Sequence, residues 1–74
     1  MRSYFDLFGP VPTFSNHAWR RLNESGLSQG ALHRALATEA KTGTTPGTVI
    51  YSDEQLAAVV NLTTGLIVTL WWTS

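Results

Sequence analysis

The chain has 74 residues, no cysteine, and five basic residues balanced by five acidic ones, so its formal net charge at pH 7 is zero. Without cysteine, disulfides and thiolate metal sites are excluded, and two histidines with no repeating ligand spacing argue against a structural zinc site. Neutral charge disfavours a domain that grips long nucleic acid by electrostatics alone. We expect one small domain, residues 1–74, with no cofactor, stabilised by oligomerisation or a partner.

The apolar stretches of the chain are too short for a membrane span, which needs about 18 residues, and the N-terminus lacks an apolar signal region. We therefore expect a cytoplasmic protein without a membrane partner. Charge is distributed unevenly, because residues 1–41 contain all the basic residues and residues 55–74 contain no charged residue. An anion is therefore expected to bind to the N-terminal half.

The first segment, residues 1–14, is an apolar and aromatic arm that ends in the sequence GPVP. Pro10 and Pro12 cannot donate ladder hydrogen bonds, so the arm is predicted to form at most a short edge strand. The segment that follows, residues 15–41, is predicted to contain two helices.

Helix signals begin at Ser15, a favourable N-cap residue. Phe14 and Trp19 stand at the two positions of a hydrophobic staple, and Gly26 suits the position just after a helix. These signals predict a helix over residues 16–25.

The same signals repeat in the next segment. Ser28 is a candidate N-cap, and Leu27 with Leu32 forms a second staple pair. The second helix, predicted over residues 29–41, has an apolar stripe made of Leu32, Ala35, Leu36 and Ala40.

The second half of the chain is rich in β-branched and aromatic residues. Three such runs follow the loop TGTTPG; they cover residues 48–52, 56–62 and 66–72. Short polar connections predict antiparallel strands within residues 47–72, and the Thr64-Gly65 step suits a hairpin turn. The expected fold class is α+β, with two N-terminal helices packed on a three- to four-stranded antiparallel sheet.

Alternation along the last strand assigns its side chains to two faces of the sheet. The side chains expected in the core are Leu66, Val68, Leu70 and Trp72. Those expected on the second face are Ile67, Thr69 and Trp71. That face is uncharged but mixed in polarity, which predicts that a ligand or partner covers it.

Three polar residues of the first predicted helix, His17, Arg21 and Glu24, are spaced to lie on one stripe. The helix dipole disfavours an imidazolium in the first turn, so His17 is suited to act as a general base. An arginine one turn later can bind a phosphate through two parallel donors. A solvated helix face is the more common explanation of such a stripe, so spacing alone does not establish a phosphate site.

The segment HAWRRLNESGLS, residues 17–28, resembles a motif of the form HAxxRxxERGIT found in small bacterial domains. Those domains look related to the barnase–EndoU–colicin–RelE-like group of ribonuclease toxins. The residues that match are His17, Ala18, Arg21, Glu24 and Gly26, with Leu27 and Ser28 as conservative replacements and Ser25 in place of a second arginine. A second motif of such domains, G-x-I-V-T-V, is similar to GLIVTLWW at residues 65–72, where Thr69 takes the threonine position.

The resemblance implies metal-independent RNA cleavage, in which the 2′-hydroxyl attacks the adjacent phosphate. It implies that His17 is the acid/base residue, Arg21 stabilises the phosphate and Thr69 is a positioning hydroxyl. The candidate RNA contacts are Arg20, Trp71 and Tyr51. For both aromatic residues, packing within the fold is the alternative role.

Two functions remain open at this point. The first is a small ribonuclease-like toxin, or a weakened relative, with RNA as substrate and an antitoxin as partner. The second is a non-enzymatic phage or mobile-element protein that binds or inhibits a host protein. Neutral charge and the uncharged aromatic sequence LWWTS, residues 70–74, favour the second, since such a segment can pair at a sheet edge. A homo-oligomer is expected in both cases.

Overall fold

The computed structural model describes residues 3–24, 26, 29–43 and 45–73. Over these residues the chain forms three helices and one five-stranded sheet, which confirms the α+β class. The elements are α1 (Tyr4–Phe8), β1 (Thr13–Phe14), α2 (Asn16–Glu24), α3 (Gln29–Leu36), β2 (Lys41–Thr42), β3 (Thr48–Ser52), β4 (Leu56–Asn61) and β5 (Leu66–Trp72). The roles predicted for Ser25, Leu27 and Ser28 lie outside the described residues. None of the described helices has the length and apolar character needed to cross a membrane.

The strand order in the sheet is β1-β5-β4-β3-β2. Strands β3, β4 and β5 form the predicted antiparallel meander, and β2 adds to it in the same sense. β1 pairs with β5 in parallel, so the sheet is mixed and has five strands instead of the predicted three or four. β1 is the short edge strand expected of the arm, whereas β2 was not predicted, because a run of two residues shows no alternation for a sequence pattern to reveal.

The arm forms a short helix, α1, before it reaches the edge of the sheet. The Ser3 hydroxyl caps this helix by accepting a hydrogen bond from the Asp6 N–H at 3.4 Å. The buried Tyr4 hydroxyl donates to the Gly65 carbonyl at 2.6 Å and accepts from the Thr13 N–H at 3.3 Å. α1 was not predicted, because a five-residue helix depends on tertiary contacts such as these instead of on its own propensity.

The start of α2 confirms the sequence signals. The Ser15 hydroxyl accepts a hydrogen bond from the Ala18 N–H at 3.0 Å. The ring centroids of Phe14 and Trp19 lie 5.7 Å apart, as a hydrophobic staple requires. Gly26 follows the helix with a φ of 64°, a left-handed conformation that glycine adopts readily.

The second predicted helix is shorter than expected. α3 ends at Leu36, and the Thr38 hydroxyl donates to the Ala35 carbonyl at 2.6 Å, a local bond that competes with continuation of a helix. Residues Lys41–Thr42 pair with β3 instead. Ala40 is buried as its place in the apolar stripe implied, although it lies beyond the helix.

A bulge in β5 changes the predicted faces of that strand. Val59 lies opposite Thr69, whereas the next residue, Val60, lies opposite Ile67. Val68 is therefore an extra residue that interrupts the strict alternation of side chains.

As a result, the core set predicted for β5 is wrong at several positions. Leu70 is fully buried as expected, but Ile67, predicted on the second face, is fully buried too. Leu66 is only partly buried and Val68 is exposed. Trp72 is exposed as well, but it follows the bulge and shares the face of Leu70, so the bulge does not account for its exposure. Sequence alternation cannot locate a bulge, since one extra residue moves every earlier side chain to the other face.

The hydrophobic core lies between the helices and one face of the sheet. It combines side chains from all three described helices with those of β3, β4 and β5. Its largest fully buried members are Tyr4, Tyr51, Leu32, Leu36, Leu56 and Ile67.

Candidate functional site

The sheet has one face packed on the helices and one that we call the open face. Buried residues from all three described helices cluster with the core side chains of the first face. The cross-strand register assigns the open face its residues: Lys41, Ile50, Val59 and Thr69 in one row, Ser52, Ala57 and Trp71 in a second, and Thr48 with Asn61 in a third.

The chemistry of the open face combines one cation, several hydroxyls and an exposed indole. Lys41 is the charged residue in the three rows, and its Nζ donates to the Ser52 hydroxyl at 2.7 Å. Trp71 lies opposite the buried Ala57 and is itself 38% exposed. Cationic side chains and aromatic stacking surfaces are the groups that sequence-tolerant binding of single-stranded nucleic acid uses.

His17 and Arg21 lie on the exposed side of α2, one turn apart. Ser15, immediately before α2, donates its hydroxyl to the Val68 carbonyl at 2.7 Å. Arg21 donates through Nε to the Leu70 carbonyl at 3.5 Å. α2 therefore starts beside Val68 and passes Leu70, so the His17–Arg21 stripe follows the outer edge of β5.

Thr69 lies in β5 between Val68 and Leu70, the residues whose carbonyls accept hydrogen bonds from Ser15 and Arg21. Its own side chain belongs to the open face. Because α2 packs on the core face, the backbone of β5 separates the Thr69 hydroxyl from His17 and Arg21. Over the described residues, no hydrogen bond joins these three side chains. The predicted site residues are thus grouped around one strand edge and do not converge in a closed pocket.

The other candidate RNA contacts differ in exposure. Arg20 is exposed on α2, whereas Tyr51 is fully buried and makes an edge-to-face contact with Tyr4 at 6.0 Å between ring centroids. Burial, followed by the electrostatic effects of Tyr4 and Asp6, raises the pKa of the Tyr51 phenol. A ring in this position cannot stack on a base, so Tyr51 has the packing role that was its alternative.

Sequence reasoning missed Lys41 as a site residue, because it placed this residue in the last turn of a helix. The only local signal for a strand is the β-branched Thr42 ahead of the loop. It also missed the bonds from Ser15 and Arg21 to β5, which join residues 53 and 49 positions apart in the chain. No short-range pattern encodes contacts of that separation.

A separate apolar pocket of about 230 Å³ lies between the arm, α2 and α3. The residues that line it are Val11, Pro12, Phe14, Trp19, Leu22, Leu32 and His33. The His33 ring is stacked on Phe5 with centroids 5.1 Å apart. Neither His17 nor Arg21 lines this pocket, so it is distinct from the site at the edge of β5.

The candidate site contains no group of residues suited to hold a metal. Among the described residues, no three His, Asp or Glu side chains form a cluster that could bind an ion. Comparisons of the chain with protein-family models, with curated proteins and with solved structures find no match.

Proposed function

We propose that this protein is a small toxin-like ribonuclease domain that cleaves single-stranded RNA without a metal, or a catalytically weakened relative of such domains. The observation that carries the proposal is the position of the His17–Arg21 stripe along the edge of β5, next to the open face. The resemblance of the α2 and β5 segments to motifs of ribonuclease toxins supports the same function.

In this proposal the RNA lies across the open face and presents a phosphate at the edge of β5. Trp71 stacks on a base, and Lys41 neutralises a backbone phosphate. Cytoplasmic RNA is the substrate class, and an antitoxin that covers the same edge is the expected partner.

The reaction needs a base, a charge stabiliser and a proton donor for the leaving group. His17 accepts the proton of the 2′-hydroxyl as that oxygen bonds to phosphorus, while the bond from phosphorus to the 5′-oxygen breaks. Water donates a proton to the 5′-oxygen, and the protonated His17 then returns its proton to water. Arg21 stabilises the charge on the phosphoryl oxygens with its terminal nitrogens, since its Nε contacts Leu70.

The direct test is cleavage of a labelled single-stranded RNA by the purified protein in the presence of EDTA. We expect products with 2′,3′-cyclic phosphate ends. His17→Ala should lower the rate about 100-fold or more, in line with general acid–base catalysis. Arg21→Ala should lower it by a similar factor through loss of charge stabilisation.

His33→Ala and Arg34→Ala are the matched controls, because both residues are exposed on α3, away from the edge of β5. Both variants should keep the wild-type rate, with folding of every variant checked by circular dichroism. The proposal is wrong if the wild-type protein leaves the RNA intact, or if His33→Ala loses as much activity as His17→Ala.

The exposed tryptophans favour a second function, a non-enzymatic protein that binds a host protein. Trp71 and Trp72 are 38% and 44% exposed, and tryptophan is enriched at the centres of protein interfaces. An inactive wild-type protein that still arrests growth when expressed, and loses that effect in Trp71→Ala, would favour this function over RNA cleavage.

A further inference from the structure

The outer edge of β5 extends beyond the strand that pairs with it. β1 is paired with β5 at Leu66 and Ile67. The Ser15 N–H then donates to the Ile67 carbonyl at 2.9 Å, and the chain leaves the sheet to form α2. In the part of the chain that the structure describes, no strand pairs with the outer edge of residues 68–72.

Hydrogen-bond alternation determines which backbone groups of β5 face β4. The Thr73 N–H donates to the Gln55 carbonyl at 2.8 Å, on the side of β4. Trp71 and Thr69 precede Thr73 by two and four residues, and no register shift lies between them. They therefore also direct their N–H and C=O groups toward β4.

The intervening residues, Leu70 and Trp72, therefore direct their backbone groups outward. The bond from Arg21 to the Leu70 carbonyl shows this direction independently. At 3.5 Å that bond is at the outer limit of a hydrogen bond, so a better donor can replace it at little cost.

This edge has little protection against strand pairing beyond the neighbouring α2 and the Arg21 bond to the Leu70 carbonyl. Natural edge strands are blocked by charged side chains, proline or a covering element. Residues 66–73 contain neither charge nor proline, and Val68, Trp71 and Trp72 are each at least 38% exposed. An isologous interface brings identical residues together, so an uncharged segment is suited to pair with itself.

We propose that a second copy of this chain pairs antiparallel with the outer edge of β5, on a two-fold axis at Trp71. In this register Leu70 pairs with the partner's Trp72, and Trp72 pairs with the partner's Leu70. Both residues of each pair direct N–H and C=O groups to the other, so every outward group of Leu70 and Trp72 is satisfied. Trp71 faces the partner's Trp71 at a non-hydrogen-bonded position, where side chains approach closely.

The charge of the molecule agrees with self-association through this edge. The formal net charge is zero, so two copies do not repel each other strongly as they approach. Pairing at the edge joins the two sheets into one and occupies the edge where the proposed RNA phosphate lies, so the dimer and the RNA complex exclude each other.

A cysteine at the proposed axis provides the first test, because the protein has no cysteine of its own. Trp71→Cys should form an intermolecular disulfide under mild oxidation, since Cβ atoms across such a pair lie within about 5 Å. The matched control is Trp19→Cys, at a tryptophan that is 52% exposed on α2 and away from the axis. We expect cross-linking to be at least about tenfold faster for Trp71→Cys; equal rates would overturn the proposal.

Sedimentation equilibrium provides the second test. The wild-type protein should show a monomer–dimer equilibrium, and Trp71→Lys should raise the dimer Kd about tenfold or more through like charge and loss of the aromatic pair. Trp19→Lys should leave the Kd unchanged.

Amide exchange of the wild-type protein covers the case in which a Trp71 variant does not fold. The N–H groups of Leu70 and Trp72 should exchange more slowly as protein concentration rises. A wild-type protein that stays monomeric at its solubility limit, or exchange rates independent of concentration, would refute the pairing.

Discussion

Ser15 connects the helical layer to the sheet through a single side chain. Its hydroxyl accepts a hydrogen bond from the Ala18 N–H and donates one to the Val68 carbonyl. Its backbone N–H donates to the Ile67 carbonyl at 2.9 Å. The residue that begins α2 therefore also determines where α2 lies against β5.

Ser15→Ala should lower the free energy of unfolding by about 1–2 kcal/mol, because the variant loses the helix cap and leaves the Val68 carbonyl without its donor. Urea denaturation measures this difference. Ser52→Ala is the control, since that hydroxyl accepts a bond from Lys41 at the surface and should cost less than about 0.5 kcal/mol. Equal losses in the two variants would show that the Ser15 contacts do not stabilise the fold.

Tyr51 should make stability fall at alkaline pH. Burial, reinforced by Tyr4 and Asp6, raises the pKa of Tyr51 above its ordinary value of 10.0, so the folded state holds the phenolic proton more tightly than the unfolded chain. This contribution is fully present below about pH 10 and is lost as pH rises through the raised pKa.

The measurement is the urea midpoint between about pH 8 and pH 11 for the wild-type protein and Tyr51→Phe. The variant should lose less stability across this range, whatever its stability at neutral pH. Parallel curves for the two proteins would show that the Tyr51 phenol does not cause the alkaline loss.

The hairpin between β4 and β5 combines a local turn with a contact from the arm. The Asn61 side-chain oxygen accepts hydrogen bonds from the N–H groups of Thr63 and Thr64 at 2.9 and 3.2 Å. Gly65 then adopts a φ of 76°, and a Cβ at this position would lie 2.8 Å from the ring of Phe8. The turn is thus built by local sequence, while its close packing depends on α1.

Gly65→Ala should therefore destabilise the protein by about 2–4 kcal/mol, the sum of left-handed backbone strain and a clash with Phe8. Gly26→Ala is the matched control, because Gly26 has a similar φ of 64° but nothing within 4 Å of an added Cβ. Gly26→Ala should lower the free energy of unfolding only by the backbone strain, about 1–2 kcal/mol. Thermal or urea unfolding compares the two, and a Gly26→Ala loss as large as that of Gly65→Ala would contradict the role of Phe8.

Elements with strong local signals were predicted well, and elements set by distant contacts were not. The cap, staple and glycine of α2 lie within a few residues of one another, so the sequence predicts that helix closely. α1 depends on Tyr4 reaching Gly65 across 61 positions, and it was missed. Val68 shows a third case, since a bulge changes the faces of β5 without changing the composition of the strand.

At the scale of the whole molecule, the candidate site also combines features that local sequence predicts with features that depend on distant contacts. Helical spacing alone places His17 and Arg21 on one stripe. Only the packed structure places that stripe along β5 and assigns the Thr69 hydroxyl to the other side of the strand. Among the described residues, the outer edge of residues 68–72 has no strand beside it because β1 is only two residues long and pairs with β5 at its beginning.

The sequence by itself determined the α+β class, the start of α2, the three strands of the meander and the left-handed glycines that follow α2 and precede β5. Each depends on side-chain periodicity or backbone freedom over a few neighbouring residues, which the order of amino acids specifies directly. The tertiary structure decided the parallel pairing of β1, the end of α3, the bulge in β5 and the separation of Thr69 from His17. These depend on which distant segments meet, because burial and hydrogen bonding between such segments override local preference once the chain has folded.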